Sequence, residues 1–321
     1  MISFMIKEAK QLTVAVVQAA PVFMDAAKTV EKAVKLIHEC ADNGSQLILF
    51  PEAFIPCYPK GLTFGTVMGW RTKEGREDWR KYYENCVDVP GIYTDILGDA
   101  AKETGNYVCM GVMERDGATV YCTMLYFGPD GTLLGKHRKL KPTASERHMW
   151  GEGDGSTLTT IETKFGTIGG LICWENYMPL ARAAMYRKGV DIYLLPTADH
   201  RNEWQGTIQH IAQEGRCFVL NANMCYTKSI YPQDLNYIED MESYPEIVTR
   251  GGSAIIDPFG KHLAGPVFDT EEILYANLDL NLIAEARYDL DCVGHYSRPD
   301  VFTLIVNEQK LDSVQFNKKE C

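Results

Sequence analysis

Glycine-marked turns constrain this chain more than any other feature. Asp116-Gly117, Gly128-Pro-Asp-Gly131, Gly166 and Asp257-Pro-Phe-Gly260 each separate two short runs rich in apolar and β-branched residues. That is the pattern of strands joined by tight turns. It predicts strands at Tyr107–Arg115, Thr119–Phe127 and Thr132–Gly135, at Ser156–Glu162 and Thr167–Cys173, and at Gly252–Ile256 and Lys261–Ala264. Helix-length segments lie between them. Ala27–Cys40 carries Val30, Ala33, Val34 and Ile37 on one face, and Asn43-Gly44 ends it. Further helices are predicted at Tyr93–Thr104, Leu180–Lys188 and Trp204–Arg216. Leu12–Gln18, Leu47–Phe50, Val190–Leu195, Cys217–Asn223 and Glu272–Leu278 read as strands. Residues 60–88 and 226–249 are polar and aromatic without a clear period, and read as irregular insertions. The polar tail 307–321 is expected to be loose.

Strands and helices thus interleave along the whole chain, with no internal repeat and no Pro/Gly/Ser-rich linker. The expectation is one domain over residues 1–321, of mixed α/β (α+β) class, with two sheets covered by helices. A length of 321 residues, 45% of them hydrophobic, suits a large core.

Composition removes several function classes. The net charge of −11 disfavours nucleic acid, whose phosphates call for a basic face. The basic cluster Lys136-His-Arg-Lys-Leu-Lys141 is too short to offset it. Mean hydropathy is −0.20, and no apolar run approaches the roughly 20 residues of a membrane helix. The opening residues lack the pattern of a secretion signal, so a cytoplasmic protein is expected. The ten cysteines are scattered without a C-x-x-C pair or a zinc-like cadence with histidine. Most should be reduced thiols filling core space.

One of them sits differently. Thr167–Cys173 reads as a strand that stops at the cysteine, and a helix begins soon after, near Met178-Pro-Leu-Ala-Arg. A thiol there would project from a rigid turn whose free backbone N–H groups can bind a developing oxyanion. Taken alone, a core sulfur capping a strand remains the better reading of Cys173. Glu52, just after Leu47–Phe50, would be partly desolvated, which raises a carboxyl group toward the range of a general base. Alone it reads equally as a strand-end glutamate reaching water. Lys139 lies in a basic run that suggests a solvated loop, although Leu140 and Pro142 imply packing. A lysine near a thiolate would lower its pKa and bind an anionic intermediate. His137 could be imagined as the base of a Cys–His pair, but no spacing singles it out. The glycines after Glu146 match no phosphate-binding loop.

Together these stretches resemble the carbon–nitrogen hydrolase (nitrilase) superfamily. Its signature is a glutamate after "FPE", a lysine in "HRKL.PT" and a cysteine in "CWE", in that chain order. The segments 141–156, 172–182, 196–224 and 294–301 resemble the nitrilase branch, and the likeness runs from about 12 to 306. The resemblance implies a four-layer α-β-β-α sandwich. It implies Glu52 as general base, Lys139 as the cation that stabilises the intermediate, Cys173 as nucleophile and Glu146 as a second active-site glutamate. By the same likeness Tyr58, Trp150 and Trp174 line the pocket, where their rings suit an apolar or aromatic group.

The implied reaction converts a small organic nitrile to a carboxylic acid and ammonia, without metal or organic cofactor. Family members pair through an outer helical face, and nitrilases also build larger spirals, so a homo-oligomer is implied. Amidases, carbamoylases and cyanide-degrading enzymes share the triad. "CWEN" and "GDGS" favour a nitrilase over an amidase, and separate organic nitriles from cyanide less well. A non-catalytic scaffold would have kept no reason to hold all four residues, and a redox thiol protein would need a resolving cysteine.

Overall fold

The computed structural model describes residues 10–314. Its first half builds six strands of a seven-stranded sheet. β1 (Gln11–Gln18), α1 (Ala26–Asp42) and β2 (Leu47–Leu49) open it as a parallel strand–helix–strand unit. After a long loop come α2 (Lys73–Glu84), the two-residue β3 (Val87–Asp88) and α3 (Ile92–Thr104). β4 (Tyr107–Asp116), β5 (Thr119–Phe127) and β6 (Leu133–Arg138) then form an antiparallel meander, with β4 parallel to β2.

The second half repeats this plan. β7 (Thr160–Thr163), β8 (Gly166–Gly170), α4 (Pro179–Arg187), β9 (Ile192–Pro196), α5 (Glu203–Gly215) and β10 (Phe218–Ala222) give a second sheet, whose strands β8, β9 and β10 are parallel. β11 (Cys225–Thr227), β12 (Ile247–Ile256) and β13 (His262–Phe268) extend it. β14 (Glu272–Asp279) returns to the first sheet and pairs antiparallel with β1 in full register, from Gln11↔Asp279 to Gln18↔Glu272. α6 (Asn281–Asp289) follows.

Side-chain alternation explains the layers. In β9, Ile192 and Leu194 join the core that contains β1, β2, β4 and β5 of the first sheet. Tyr193 and Leu195 face the other way, into a core shared with Met185 of α4 and Trp204, Ile208 and Ile211 of α5. A strand buried on both faces reads as a continuous apolar run. On the outer side of the first sheet, α1 buries Val30, Ala33 and Ile37, and α3 buries Leu97 and Ala101. The result is the expected α-β-β-α order.

Several expectations need correction. The stretch 60–88 contains α2, whose buried positions are only Gly75, Asp78 and Tyr82. With so small an apolar face, periodicity could not reveal it. Asp78 accepts hydrogen bonds from the backbone N–H groups of Asn236 and Tyr237, both at 3.0 Å. The stretch 226–249 is therefore docked on α2, and its ends form β11 and the start of β12. The strand expected at Thr167–Cys173 ends at Gly170, and Ser156–Thr157 belong to a 3₁₀ turn. α6 was not foreseen because it buries only Ile283 and Ala286. The tail is held at its start. Leu311 donates its N–H to Asp154 at 2.8 Å and Lys188 pairs with Glu308. Residues 315–321, including Cys321, lie outside the described part.

The nine described cysteines are free thiols, and eight are buried. Among the described residues no helix is long and apolar enough to cross a membrane.

Candidate active site

The basic run at Lys136–Lys141 is a strand and its extension, not a solvated loop. β6 alternates, so Lys136 and Arg138 both reach Glu114 while His137 and Lys139 are buried in the interior. Pairing continues one residue beyond the strand, because Lys139 donates its N–H to Cys122 of β5 at 2.8 Å. On the other side the Lys139 carbonyl accepts from Gly153 at 2.9 Å. The lysine main chain is thus fixed on both edges.

Its ammonium group lies between two carboxylates. Lys139 Nζ is 2.7 Å from Glu52 Oε1 and 2.9 Å from Glu146 Oε2. Burial opposes its charge, but Glu52 and Glu146 outweigh that and hold its pKa well above the ordinary lysine value. The Glu146 carboxylate is also oriented from elsewhere. Thr143 donates its N–H to Oε2 at 2.6 Å, and the Tyr58 hydroxyl donates to Oε1 at 2.5 Å.

Glu52 stands just after β2 and is buried. Its Oε1 meets Lys139 and, at 3.5 Å, the Cys122 thiol, while Oε2 has no hydrogen-bond partner among the described residues. Desolvation raises its pKa, Lys139 pulls it down, and the outcome is upward. Gly111 of β4 makes room for this segment. A Cβ at Gly111 would lie 2.0 Å from the Pro51 carbonyl and 2.9 Å from Glu52 Cα. Gly111→Ala should therefore displace Glu52, lowering turnover at least about 10-fold and stability by about 1–3 kcal/mol. Steady-state kinetics and urea unfolding check this, and wild-type values in both would contradict it.

Cys173 opens a short 3₁₀ turn, Cys173–Tyr177, three residues past the end of β8. Its φ of 52° is a left-handed conformation that non-glycine residues seldom adopt. Ala53, next to Glu52, has φ 50°. Strain therefore sits at Cys173 and immediately beside Glu52. The Asn176 side chain donates to the Cys173 carbonyl at 2.8 Å, and the Thr197 hydroxyl donates to Sγ at 3.2 Å. Burial pushes the thiol pKa up, with Glu52 adding to that shift and Lys139 opposing it. Lys139 thus pulls the thiol pKa down as a nearby cation should, but burial and Glu52 outweigh it and the shift is upward.

Lys139 links Glu146 to the buried Glu52, and Glu146 and Cys173 help to line a pocket of about 560 Å³. Tyr58 and Trp150 meet edge to face at 5.6 Å in its wall, and Lys139 Nζ lies 5.9 Å from the Trp150 ring centre. Trp174 also lines the pocket, is 40% exposed, and donates its indole N–H to Asp199 at 2.8 Å. The wall is more polar than the aromatic lining expected. Lys60, Asp199, His200 and Arg201 contribute to it. Burial lowers Lys60 to about 8 and His200 to about 4. Lys60 and Thr197 were missed as individual residues, although Lys60 follows Tyr58 closely and Thr197 follows the end of β9. The segments 60–66 and 226–249 are joined here, through Tyr231 donating to the Lys60 carbonyl at 2.6 Å and Asp240 accepting from Thr63 at 2.7 Å.

The chain belongs to the carbon–nitrogen hydrolase family, whose model matches residues 13–288. It is 52% identical over 301 residues to an aliphatic nitrilase of Sinorhizobium fredii, covering 94% of this chain and 97% of that protein. It is 50% identical to a bifunctional nitrilase/nitrile hydratase of Lupinus angustifolius, covering 94% and 87%, and 47% identical to nitrilase 1 of Arabidopsis thaliana, covering 95% and 90%. Among solved structures it is similar to Saccharomyces cerevisiae Nit3, of the nitrilase superfamily, with a TM-score of 0.70 at 22% identity over 90% of this chain and 97% of that one. At that identity the structural likeness speaks to the fold.

Proposed function

We propose that this protein is a nitrilase that hydrolyses a small organic nitrile, with Cys173 as nucleophile. The observation that carries the reading is a pocket lined by Cys173 and by Glu146, whose partner Lys139 also pairs with Glu52, in a chain about half identical to nitrilases over nearly its whole length.

The nitrile carbon is electrophilic and slender, so it can reach a buried sulfur in the pocket wall. Glu52 takes the thiol proton as Sγ adds to carbon, and the nitrile nitrogen gains a proton to give a thioimidate. Glu52 then activates a water that adds to the same carbon. Proton transfer to nitrogen lets ammonia leave, and a thioester remains. A second water, activated in the same way, releases the acid and restores the thiol. Lys139 and the backbone N–H of Trp174 stabilise charge as it develops. Glu146, tied to Tyr58 and Thr143, orients Lys139. The tetrahedral species formed after the first water is a branch point. C–N cleavage leads to acid, whereas C–S cleavage releases amide.

The experiment is ammonia, acid and amide analysis on a panel of butyronitrile, phenylacetonitrile and benzonitrile, with butyramide and cyanide as controls. Release of acid and ammonia from nitriles at rates above both controls is expected. Turnover confined to the amide or to cyanide would replace this reading with the corresponding relative.

The reading also carries one domain with a core at about 12–306, a cytoplasmic location and a homo-oligomer built on dimers. The exposed apolar residues Tyr177 and Met178, just before α4, and Leu180 in its first turn suit a contact with a second copy.

A further inference from the structure

The proposed mechanism leaves one buried charged pair unused. His137 of β6 and Glu175 of the 3₁₀ turn are fully buried, 3.0 Å apart, and neither lines the pocket. Their protonation states follow from their partners. His137 Nδ1 faces the Thr157 carbonyl at 2.8 Å and Nε2 faces the Glu175 carboxylate. Both partners are acceptors, so both ring nitrogens carry hydrogen and the imidazole is a cation. Burial works against that charge, but Glu175 outweighs it and raises the pKa.

Glu175 does more than balance a charge. Oε1 accepts the N–H of Leu140 at 2.6 Å, and Oε2 accepts the N–H of Ile172 at 2.7 Å. Leu140 directly follows Lys139, and Ile172 directly precedes Cys173. The first sheet supplies one of these segments and the second sheet the other. A single carboxylate therefore spans the gap between the sheets at the two points where the reacting groups emerge.

We propose that Glu175 is a positioning residue: its carboxylate ties the main chain beside Lys139 to the main chain beside Cys173 and keeps cation and nucleophile in register. The inference rests on the roles given above to those two residues. Cys173 needs such a tie because its left-handed backbone persists only when its surroundings over-determine it. Asn176 supplies the other restraint, donating to the carbonyls of Leu171 and Cys173 at 2.9 and 2.8 Å. A buried ion pair is weak evidence for stability but can specify one arrangement over others.

Glu175→Gln separates positioning from simple support. A glutamine offers one acceptor oxygen, so one of the two backbone tethers is lost. The expected result is a kcat lowered about 10- to 100-fold with KM within about threefold, the size of effect a misplaced reacting group produces. Alkylation of Cys173 by iodoacetamide should slow about 10-fold, because Glu52 no longer faces the thiol well. Mere loosening would expose the thiol and speed alkylation, so an unchanged or faster rate overturns the proposal. His137→Gln keeps both tethers and removes only the cation. It should lose stability yet keep kcat within about threefold, and an equal loss of kcat in both variants also overturns it. If Glu175→Gln does not fold, Glu175→Asp keeps the charge but draws the carboxylate back, and wild-type kcat in that variant has the same meaning. The alkylation assay needs no nitrile. It still reads the register of Cys173 if the panel above shows no turnover, so the two readings fail separately.

Discussion

Cys173→Ala is expected to fold normally and to lower nitrile hydrolysis by at least about 10,000-fold. The size follows from the chemistry, since without sulfur no thioimidate can form and water alone must attack the nitrile. Folding should survive because the change is local. Alanine and cysteine carry the same steric restriction at φ 52°, so the strain is unchanged. What disappears is one buried sulfur and the acceptor for the Thr197 hydroxyl at 3.2 Å. Those losses amount to about 1–2 kcal/mol, small beside the stability of a chain this size. Ammonia release and urea unfolding measure the two sides. Mass spectrometry adds a positive control, since wild type stopped during a slow turnover should carry an acyl group on the peptide containing Cys173. Near-native turnover by the variant, or an adduct on Cys57 or Cys217 instead, would remove Cys173 from the role.

The raised thiol pKa gives this prediction a mechanistic consequence. A resting thiolate would react without help, and Glu52 would then matter little. Burial and the neighbouring carboxylate keep the proton on sulfur. Attack must therefore be coupled to proton removal, and Glu52 Oε2 is the buried carboxylate oxygen left without a hydrogen-bond partner among the described residues. One side of Glu52 is thus held by Lys139 and Cys122 while the other stays available.

The contrast between what the sequence revealed and what it hid follows the physics of each signal. α1 was legible because its burial repeats with the helical period, and β1 and the hairpin strands because they are nearly continuous apolar runs bounded by turn residues. α2 was hidden because its inward carboxylate, Asp78, is satisfied by a distant segment rather than by apolar packing. Lys139 looked like part of a solvated run because charge density is visible in a sequence while a two-residue alternation of partners is not. Its neighbours Lys136 and Arg138 take the outward role that its composition suggested for all of them. Glu52 and Cys173 became meaningful only through order along the chain. The left-handed backbone at Cys173 and at Ala53 beside Glu52, and the room that Gly111 leaves, arise from tertiary contacts that no local pattern encodes. The polar pocket wall was hidden for the same reason, since Lys60 reaches it from a loop held by residues more than 160 positions away.

Glu52→Gln should separate stability from activity in opposite directions. Turnover is expected to fall by about 1,000- to 10,000-fold, because the amide cannot accept the thiol proton or activate water. Stability at pH 7 is expected to be equal to or higher than wild type. The sign follows from the direction of the shift. Desolvation leaves the folded-state pKa of Glu52 above its ordinary value of 4.5, despite the pull of Lys139. A group raised on folding contributes its full stability below the unfolded pKa and loses it as pH rises through the folded one. At neutral pH the ionised carboxylate therefore weighs against the fold, and glutamine removes that cost. Its oxygen can still accept from Lys139, which also keeps Glu146 at 2.9 Å. Its amide nitrogen takes the place of Oε2, which forgoes no hydrogen bond among the described residues. Urea unfolding at a series of pH values should show any advantage of the variant shrinking as pH falls toward about 4.5, where wild-type Glu52 also becomes neutral. The same shift places the acid limb of the wild-type rate profile above pH 4.5. A variant clearly less stable than wild type at pH 7 would mean that the Lys139 pair outweighs desolvation. One that retained turnover would show that another group takes the thiol proton.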